Sequence, residues 1–196
     1  VTIDKYIIHH SEGLSIPVLY LYPNDARNRK TILWIDLFGK VSANDWNEVL
    51  ELLAQGFNII SFDFRGTGEG RMNYTATSSD QLSFGTREFD EAYHSPVSGV
   101  MANYVYNSLL IGRPYFLQMI EDTEIVLRFA QSHLQIQEMQ VRAKGNTTLL
   151  AQKLTEIFPK LKFEGKMSAA TWADMLDQKI EIWPVEYVMP RGPYIK

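Results

Sequence analysis

Val141-Arg142-Ala143-Lys144-Gly145-Asn146-Thr147-Thr148-Leu149-Leu150-Ala151 changes character twice within a few residues. The apolar, β-branched start predicts a strand over Met139 to Ala143. Lys144-Gly145-Asn146 has the composition of a tight turn, and Thr147 to Ile157 carries helical spacing. A short buried strand feeding straight into a helix is the unit from which parallel sheets are built.

The same grammar recurs upstream. Lys5 to His9 and Ile16 to Tyr22 read as two strands around the turn Ser11-Glu12-Gly13. Thr31-Ile32-Leu33-Trp34-Ile35-Asp36 is nearly continuous in apolar residues, as a strand buried on both faces must be. Ser42 can cap a helix over Ala43 to Gln55, with Trp46, Val49, Leu50 and Leu53 on its inner face and Gly56 as its stop. Phe57 to Phe62 is the next buried strand. Met101 to Ile111 predicts a short helix, and Pro114 suits an early position of a long one that runs to about His133, with Ile120, Ile125, Val126, Leu127 and Phe129 on its apolar side. Leu161 to Glu164 and Ala169 to Leu176 predict a further strand and helix, and the Pro-containing tail from Trp183 reads as irregular. Strand, helix and strand in short succession predict a right-handed crossover. The expected fold is α/β: one domain over 1–196, a three-layer α/β/α sandwich on a mostly parallel sheet. Arg71 to Ser98 forms a polar loop or lid insertion.

Composition narrows the function classes. At 45% hydrophobic residues, a chain of 196 residues supports a sizeable core. The net charge is −4, and no Lys/Arg run or basic stripe appears, which argues against a nucleic-acid partner. No apolar stretch approaches the roughly 20 residues that span a bilayer. The absence of cysteine excludes disulfides, thiolate metal sites and a cysteine nucleophile. The chain starts at Val1-Thr2 without an initiator Met or signal-like segment, which reads as a processed or cut start. Asn73-Tyr74-Thr75 and Asn146-Thr147-Thr148 fit the glycosylation triplet, one of them on the turn already described.

Several residues are candidates for chemistry. Asp63-Phe64-Arg65-Gly66-Thr67-Gly68-Glu69-Gly70 follows a buried strand. A dinucleotide fingerprint needs a third glycine where Arg71 stands, and a helix where the polar loop begins. The better reading is structural: Asp63 and Arg65 hold the strand end through charge-assisted hydrogen bonds, and the glycines permit a sharp turn. His94 beside Ser95 and Ser98 is an alternative nucleophile pair, dependent on geometry. Thr147 and Thr148 read as first-turn helix residues rather than attackers. Asp80, Glu88, Asp90 and Glu91 form an acidic cluster without calcium-loop spacing. His9 and His10 alternate across a strand and cannot share a metal. No metal or other cofactor is called for. Trp34, Trp46, Trp172 and Trp183 are core candidates, with sugar stacking as the sharper alternative.

Taken in order, Gly39-Lys40, Asp63-x-Arg65-Gly66-x-Gly68, Leu109-Leu110-Ile111-Gly112-Arg113-Pro114 and the 143–151 turn resemble the bacterial acetyl-xylan-esterase-like branch of the α/β-hydrolases. The resemblance covers almost the whole chain and corresponds to the N-terminal two-thirds or so of such an enzyme. It implies ester hydrolysis by a Ser–His–acid triad, with the serine in a Gly-x-Ser-x-Gly elbow. On that frame Ala143 and Thr147 take the glycine positions, and the serine position holds Gly145. Glycine has no side chain and cannot attack a carbonyl. The oxyanion donors implied by the family are the N–H of Asn146 and that of Leu37 or Phe38. His9, His10, His94 and His133 all precede the elbow, and the family's acid and histidine would follow two further strands. Serine restored at 145 is therefore not expected to revive activity alone.

Three readings follow from the resemblance. The first is an inactive relative of carboxylic-ester hydrolases, with acetylated carbohydrate as the family substrate. The second is a module that binds an ester, a carbohydrate or a protein on the old scaffold. The third is one piece of a larger enzyme. The resemblance also implies a periplasmic or secreted setting. It leaves an open last strand, which a second copy, a second polypeptide or the tail is expected to cover.

Overall fold

A computed structural model describes residues 1–10, 13–24, 30–73, 93, 99–144 and 147–163. The chain divides into two compact units, one of Val1–Arg71 with Ile120–Met167 and one of Met72–Met119 with Ser168–Lys196.

The first unit carries the sheet. Its strands are β1 (Thr2–His9), β2 (Ser15–Tyr22), β3 (Thr31–Ile35), β4 (Asn58–Phe62), β5 (Met139–Ala143) and β6 (Leu161–Phe163), in the spatial order β1-β2-β4-β3-β5-β6. β1, β2 and β4 pair antiparallel in turn, whereas β3 pairs parallel with both β4 and β5, and β5 with β6. Every residue of β3 and β4 is buried, as the continuous apolar runs require.

Helix α1 (Trp46–Ala54) makes the crossover from β3 to β4. Ser42 does cap it, through a 3-10 turn at Ala43–Asp45: its hydroxyl accepts from the Asn44 N–H, and Asp45 reaches back to the Ser42 N–H at 3.0 Å. Val49, Leu52 and Leu53 pack on Leu21, Ile32, Trp34 and Ile59. Leu50, assigned to the inner face from its spacing, points to solvent, and Leu52 takes its place. Val49, Leu52 and Leu53 stand at i, i+3 and i+4, so the buried stripe is centred to one side of the one read from the sequence.

The opposite face of the sheet carries helix α3 (Tyr115–Ser132). Tyr6 of β1 meets the ring of Phe129 edge-on at 5.1 Å, and Tyr6 pairs with Val18 of β2 on the side away from Leu19 and Leu21. Helices on both faces make the unit three-layered. The long helix begins at Tyr115, directly after Pro114, whose carbonyl accepts its first N–H bonds from Leu117 and Gln118. Helix α4 (Thr148–Ile157) follows β5 and buries Leu150, Ala151 and Leu154. Among the described residues, β1 and β6 are the outer strands.

The second unit holds helix α2 (Val100–Leu110) and the first turn of α3. Tyr104 lies edge-on to the buried Tyr115 at 5.5 Å and donates its hydroxyl to Gln118 Oε1. The Gln118 amide in turn caps the Arg113 carbonyl at 2.7 Å. The lid insertion and the helix expected over Ala169 to Leu176 fall outside the described residues, apart from 71–73 and Tyr93. Among the described residues, no helix is long and apolar enough to cross a membrane, and no three His, Asp or Glu side chains gather as a metal site.

Candidate functional site

The topology itself picks out one place for a site. From β3 the chain crosses to β4 on one side of it and later enters β5 on the other. Ligands of open α/β sheets bind at such a switch point, outside the carboxyl ends of the strands. Here those ends carry the 36–41 loop after β3 and the turn between β5 and α4.

The two loops are tied together by backbone bonds. The Lys144 N–H donates to the Ile35 carbonyl at 3.0 Å, and the buried Thr147 hydroxyl donates to the carbonyls of Lys144 at 2.6 Å and Ile35 at 3.2 Å. Thr147 is thus a helix-entry residue whose proton is committed to main-chain acceptors, consistent with its reading as structure rather than nucleophile. Gly145, Asn146, His94 and Ser95 lie outside the described residues. Of the oxyanion candidates, Leu37 is buried at the end of β3, and Phe38 is 45% exposed. The Phe38 N–H donates to Asp36 Oδ1 at 2.9 Å. A donor already turned toward a carboxylate would have to break that bond to receive an oxyanion.

Asp63 is the post to which this region is fastened. It accepts from the Lys40 N–H at 2.7 Å, the Lys40 ammonium at 2.5 Å and the Glu69 N–H at 2.9 Å, and its side chain has no solvent exposure. It therefore joins the loop after β3 to the turn after β4. Gly39 and Gly68 crowd against its carboxylate with φ of +117° and +51°. A Cβ at Gly39 would lie 2.6 Å from Asp63 Oδ1. Both positions need glycine for backbone conformation and for space. Ser61 Oγ holds the next residue, accepting from the Val41 N–H at 2.8 Å. Arg65 turns the other way, onto α3: its N–H and Nε both reach the Asp122 carboxylate at 2.9 Å, and its guanidinium also meets Glu121. The expectation that Asp63 and Arg65 anchor the strand end is met, each by a different element. Burial pushes the Asp122 carboxyl above its ordinary range, against the pull of Arg65.

A second set of charges clamps the β5 turn to α1, and spacing alone gave no sign of it. Lys144 sits 5.0 Å above the Trp34 ring and donates to Glu48 Oε2 at 2.7 Å, while Arg142 Nε donates to Glu48 Oε1 at 2.6 Å. Burial raises the Glu48 carboxyl, but bonds from Lys144 and Arg142 outweigh it and hold the group below its usual range. The bond to Glu48 raises Lys144 against the opposing effect of burial. Glu48, with a depressed folded pKa, contributes stability that is complete above about pH 4.3 and lost as pH falls through its folded value. Lys144, with a raised one, contributes below about pH 10.4 and loses its contribution as pH rises through its folded value. Glu48→Gln is expected to flatten the acid limb of a urea-stability profile as pH falls below about 4.3. At neutral pH, where the cluster is partly exposed, it should cost only about 0.5–1 kcal/mol.

A cavity of about 480 Å³ lies elsewhere, between Leu127 and Arg128 of α3, Met139 at the amino end of β5 and Phe158, Lys160 and Leu161 before and at β6. It opens at the amino ends of the strands, the wrong end of the sheet for the site just described.

No protein-family model matches the chain, and no curated protein does. Solved structures that the chain resembles include an esterase, a probable hydrolytic enzyme and an epoxide hydrolase. An acetyl xylan esterase from Paenibacillus sp. R4 is 16% identical over 81% of this chain and 46% of its own, with a TM-score of 0.49. A probable hydrolytic enzyme from Pseudomonas aeruginosa PAO1 is 15% identical over 89% and 44%, also at 0.49. An epoxide hydrolase mutant from Vigna radiata is 11% identical over 92% and 45%, again at 0.49. The chain spans less than half the length of each of these three.

Proposed function

We propose that this chain is an esterase-like α/β-hydrolase relative that does not itself hydrolyse esters. The observation that carries the reading is the strand-turn-helix at the switch point, with glycine at position 145 where a nucleophile would stand. Ester hydrolysis by covalent catalysis needs an activated oxygen or sulfur there. The neighbouring Thr147 hydroxyl gives its proton to two carbonyls and supplies no substitute. The family substrate would be a carboxylic ester, with acetylated carbohydrate as the specific class. Asn146 and Leu37 are the remaining oxyanion donors of this reading.

The test is release of phenol from an aryl acetate by the purified full chain, beside a His94→Ala/Ser95→Ala variant. Both are expected to match the buffer rate. Turnover by the natural chain that disappears in the variant would overturn the reading and move the site to the polar segment.

A second reading is a non-catalytic module that binds an ester, carbohydrate or protein partner at the same carboxyl ends. It is favoured by Phe38, whose ring is exposed while its N–H is engaged by Asp36. Retention of an acetylated oligosaccharide that is lost on Phe38→Ala would support it.

A further inference from the structure

Strand β1 ends the sheet on one side, and among the described residues it pairs with β2 alone, from Thr2 to His9. Two main-chain bonds fix which of its groups face outward. The His10 N–H donates to the Leu14 carbonyl at 2.8 Å, in line with the β1–β2 register. The Asp63 N–H donates to the Pro17 carbonyl at 3.1 Å, in line with the β2–β4 register. Bonded and non-bonded pairs alternate along an antiparallel ladder. The odd-numbered residues of β2 therefore serve β4, and its even-numbered ones serve β1. By the same alternation the N–H and C=O groups of Ile3, Lys5, Ile7 and His9 point away from β2. Such a row is a template for another strand.

The usual devices that blunt an edge are nearly absent. β1 has eight residues, contains no proline and runs in register without a bulge. By contrast β6, the other outer strand, pairs only over Leu161–Phe163. Ile3 is 42% exposed and Ile7 59%. Lys5, between them, is the exception, and it selects the partner's register.

The strand is its own complement. Outward groups must meet outward groups, so odd-numbered residues must oppose odd-numbered residues across a two-fold axis. Two registers pair most of the strand. Centred on Lys5, the pairing runs from Thr2 to Ile8 and sets the two lysines directly opposite, which is destabilising. Centred on Tyr6, it runs from Ile3 to His9. Lys5 then opposes Ile7 and can lay its alkyl stem along it, Ile3 opposes His9, and Asp4 opposes Ile8. Tyr6 faces its counterpart as an aromatic pair, and no like charges stand directly opposed. A foreign strand would satisfy the backbone but not this side-chain match. The contact is isologous, uses up both edges and closes at two copies.

We propose that β1 pairs antiparallel with β1 of a second copy about a two-fold axis at Tyr6, so that one sheet runs through a homodimer. The proposal is independent of whether the chain hydrolyses esters.

Sedimentation equilibrium of the full chain tests it, with a concentration-dependent monomer–dimer equilibrium expected. Ile7→Pro removes an outward N–H without touching the β1–β2 ladder and should weaken the dimer at least tenfold, with circular dichroism unchanged. Ile7→Lys, which leaves the backbone intact and opposes Lys5 with a like charge, should do the same. The chain has no cysteine, so single cysteines report the register. Opposed residues of a non-bonded pair lie about 4.5 Å apart at Cα, within reach of a disulfide. Tyr6→Cys should therefore oxidise to a covalent dimer, and Asp4→Cys should cross-link with Ile8→Cys when the two are mixed. A natural chain that stays monomeric at its highest soluble concentration would overturn the proposal. So would a dimer that both Ile7 variants leave intact, or one in which neither cysteine test gives a cross-link.

Discussion

Asp63→Ala is expected to lower the stability of the folded chain by about 3–5 kcal/mol, the largest effect of any single side-chain truncation at the carboxyl ends of the strands. The carboxylate is buried and accepts from two backbone N–H groups and one ammonium. Alanine would strand the two backbone donors. Lys40 would keep only Glu69, a more exposed partner at 3.0 Å. At this chain length the loss corresponds to a drop in Tm on the order of 10 °C, readable in a thermal melt. Asp63→Asn retains an acceptor and should recover part of it. The consequence for function is positional. Asp63 fixes Lys40, and so the loop that carries Leu37 and Phe38, against the turn at Gly68. A variant that folds should therefore show that loop loosened in hydrogen exchange before the rest of the sheet.

The second large effect is expected at Asp122, on α3. Its removal by alanine takes away the main carboxylate partner of the mostly buried Arg65 guanidinium, while the contact with Glu121 at 3.3 Å remains. The expected cost is about 3 kcal/mol, at the low end for a broken buried pair because Glu121 remains. Urea unfolding of Asp122→Ala, Arg65→Met and the double variant would resolve the pair. Removing both partners should cost less than the sum of the single changes, since the double variant leaves no stranded charge. A double variant as damaged as the sum would show that Asp122 and Arg65 act separately.

These two carboxylates show where the sequence was legible and where it was not. β3 and β4 could be read because burial on both faces demands an unbroken apolar run, and Thr31 to Ile35 and Asn58 to Phe62 nearly supply one. The turn after β4 could be read because Gly66 and Gly68 take positive φ, a local requirement written in local residues. α3 was harder. Its buried side runs Tyr115, Phe116, Gln118, Met119, Asp122, Thr123, Val126, Leu127 and Ala130. The period is helical throughout, but three buried polar residues, Gln118, Asp122 and Thr123, hide it. Asp122 is buried only because Arg65, far away in the sequence, arrives to pair with it. No window of sequence contains both. The Glu48 clamp on Arg142 and Lys144 has the same character: three charged residues on a helix and a strand read as solvated faces until the sheet places them together. The place of the candidate site, between the end of β5 and α4 and the loop after β3, follows from topology, which sets the switch point. The commitment of the Phe38 N–H to Asp36 was not, since it depends on a side-chain rotamer within a tight turn.

The most direct measurement is intact-mass spectrometry of the full chain during reaction with an aryl acetate. A mass that never changes, at a phenol release rate equal to that of buffer, is expected on the proposal that glycine at position 145 replaces the nucleophile. A transient gain of one acetyl group, mapped to a residue of the chain and discharged by water, would contradict it and identify the nucleophile.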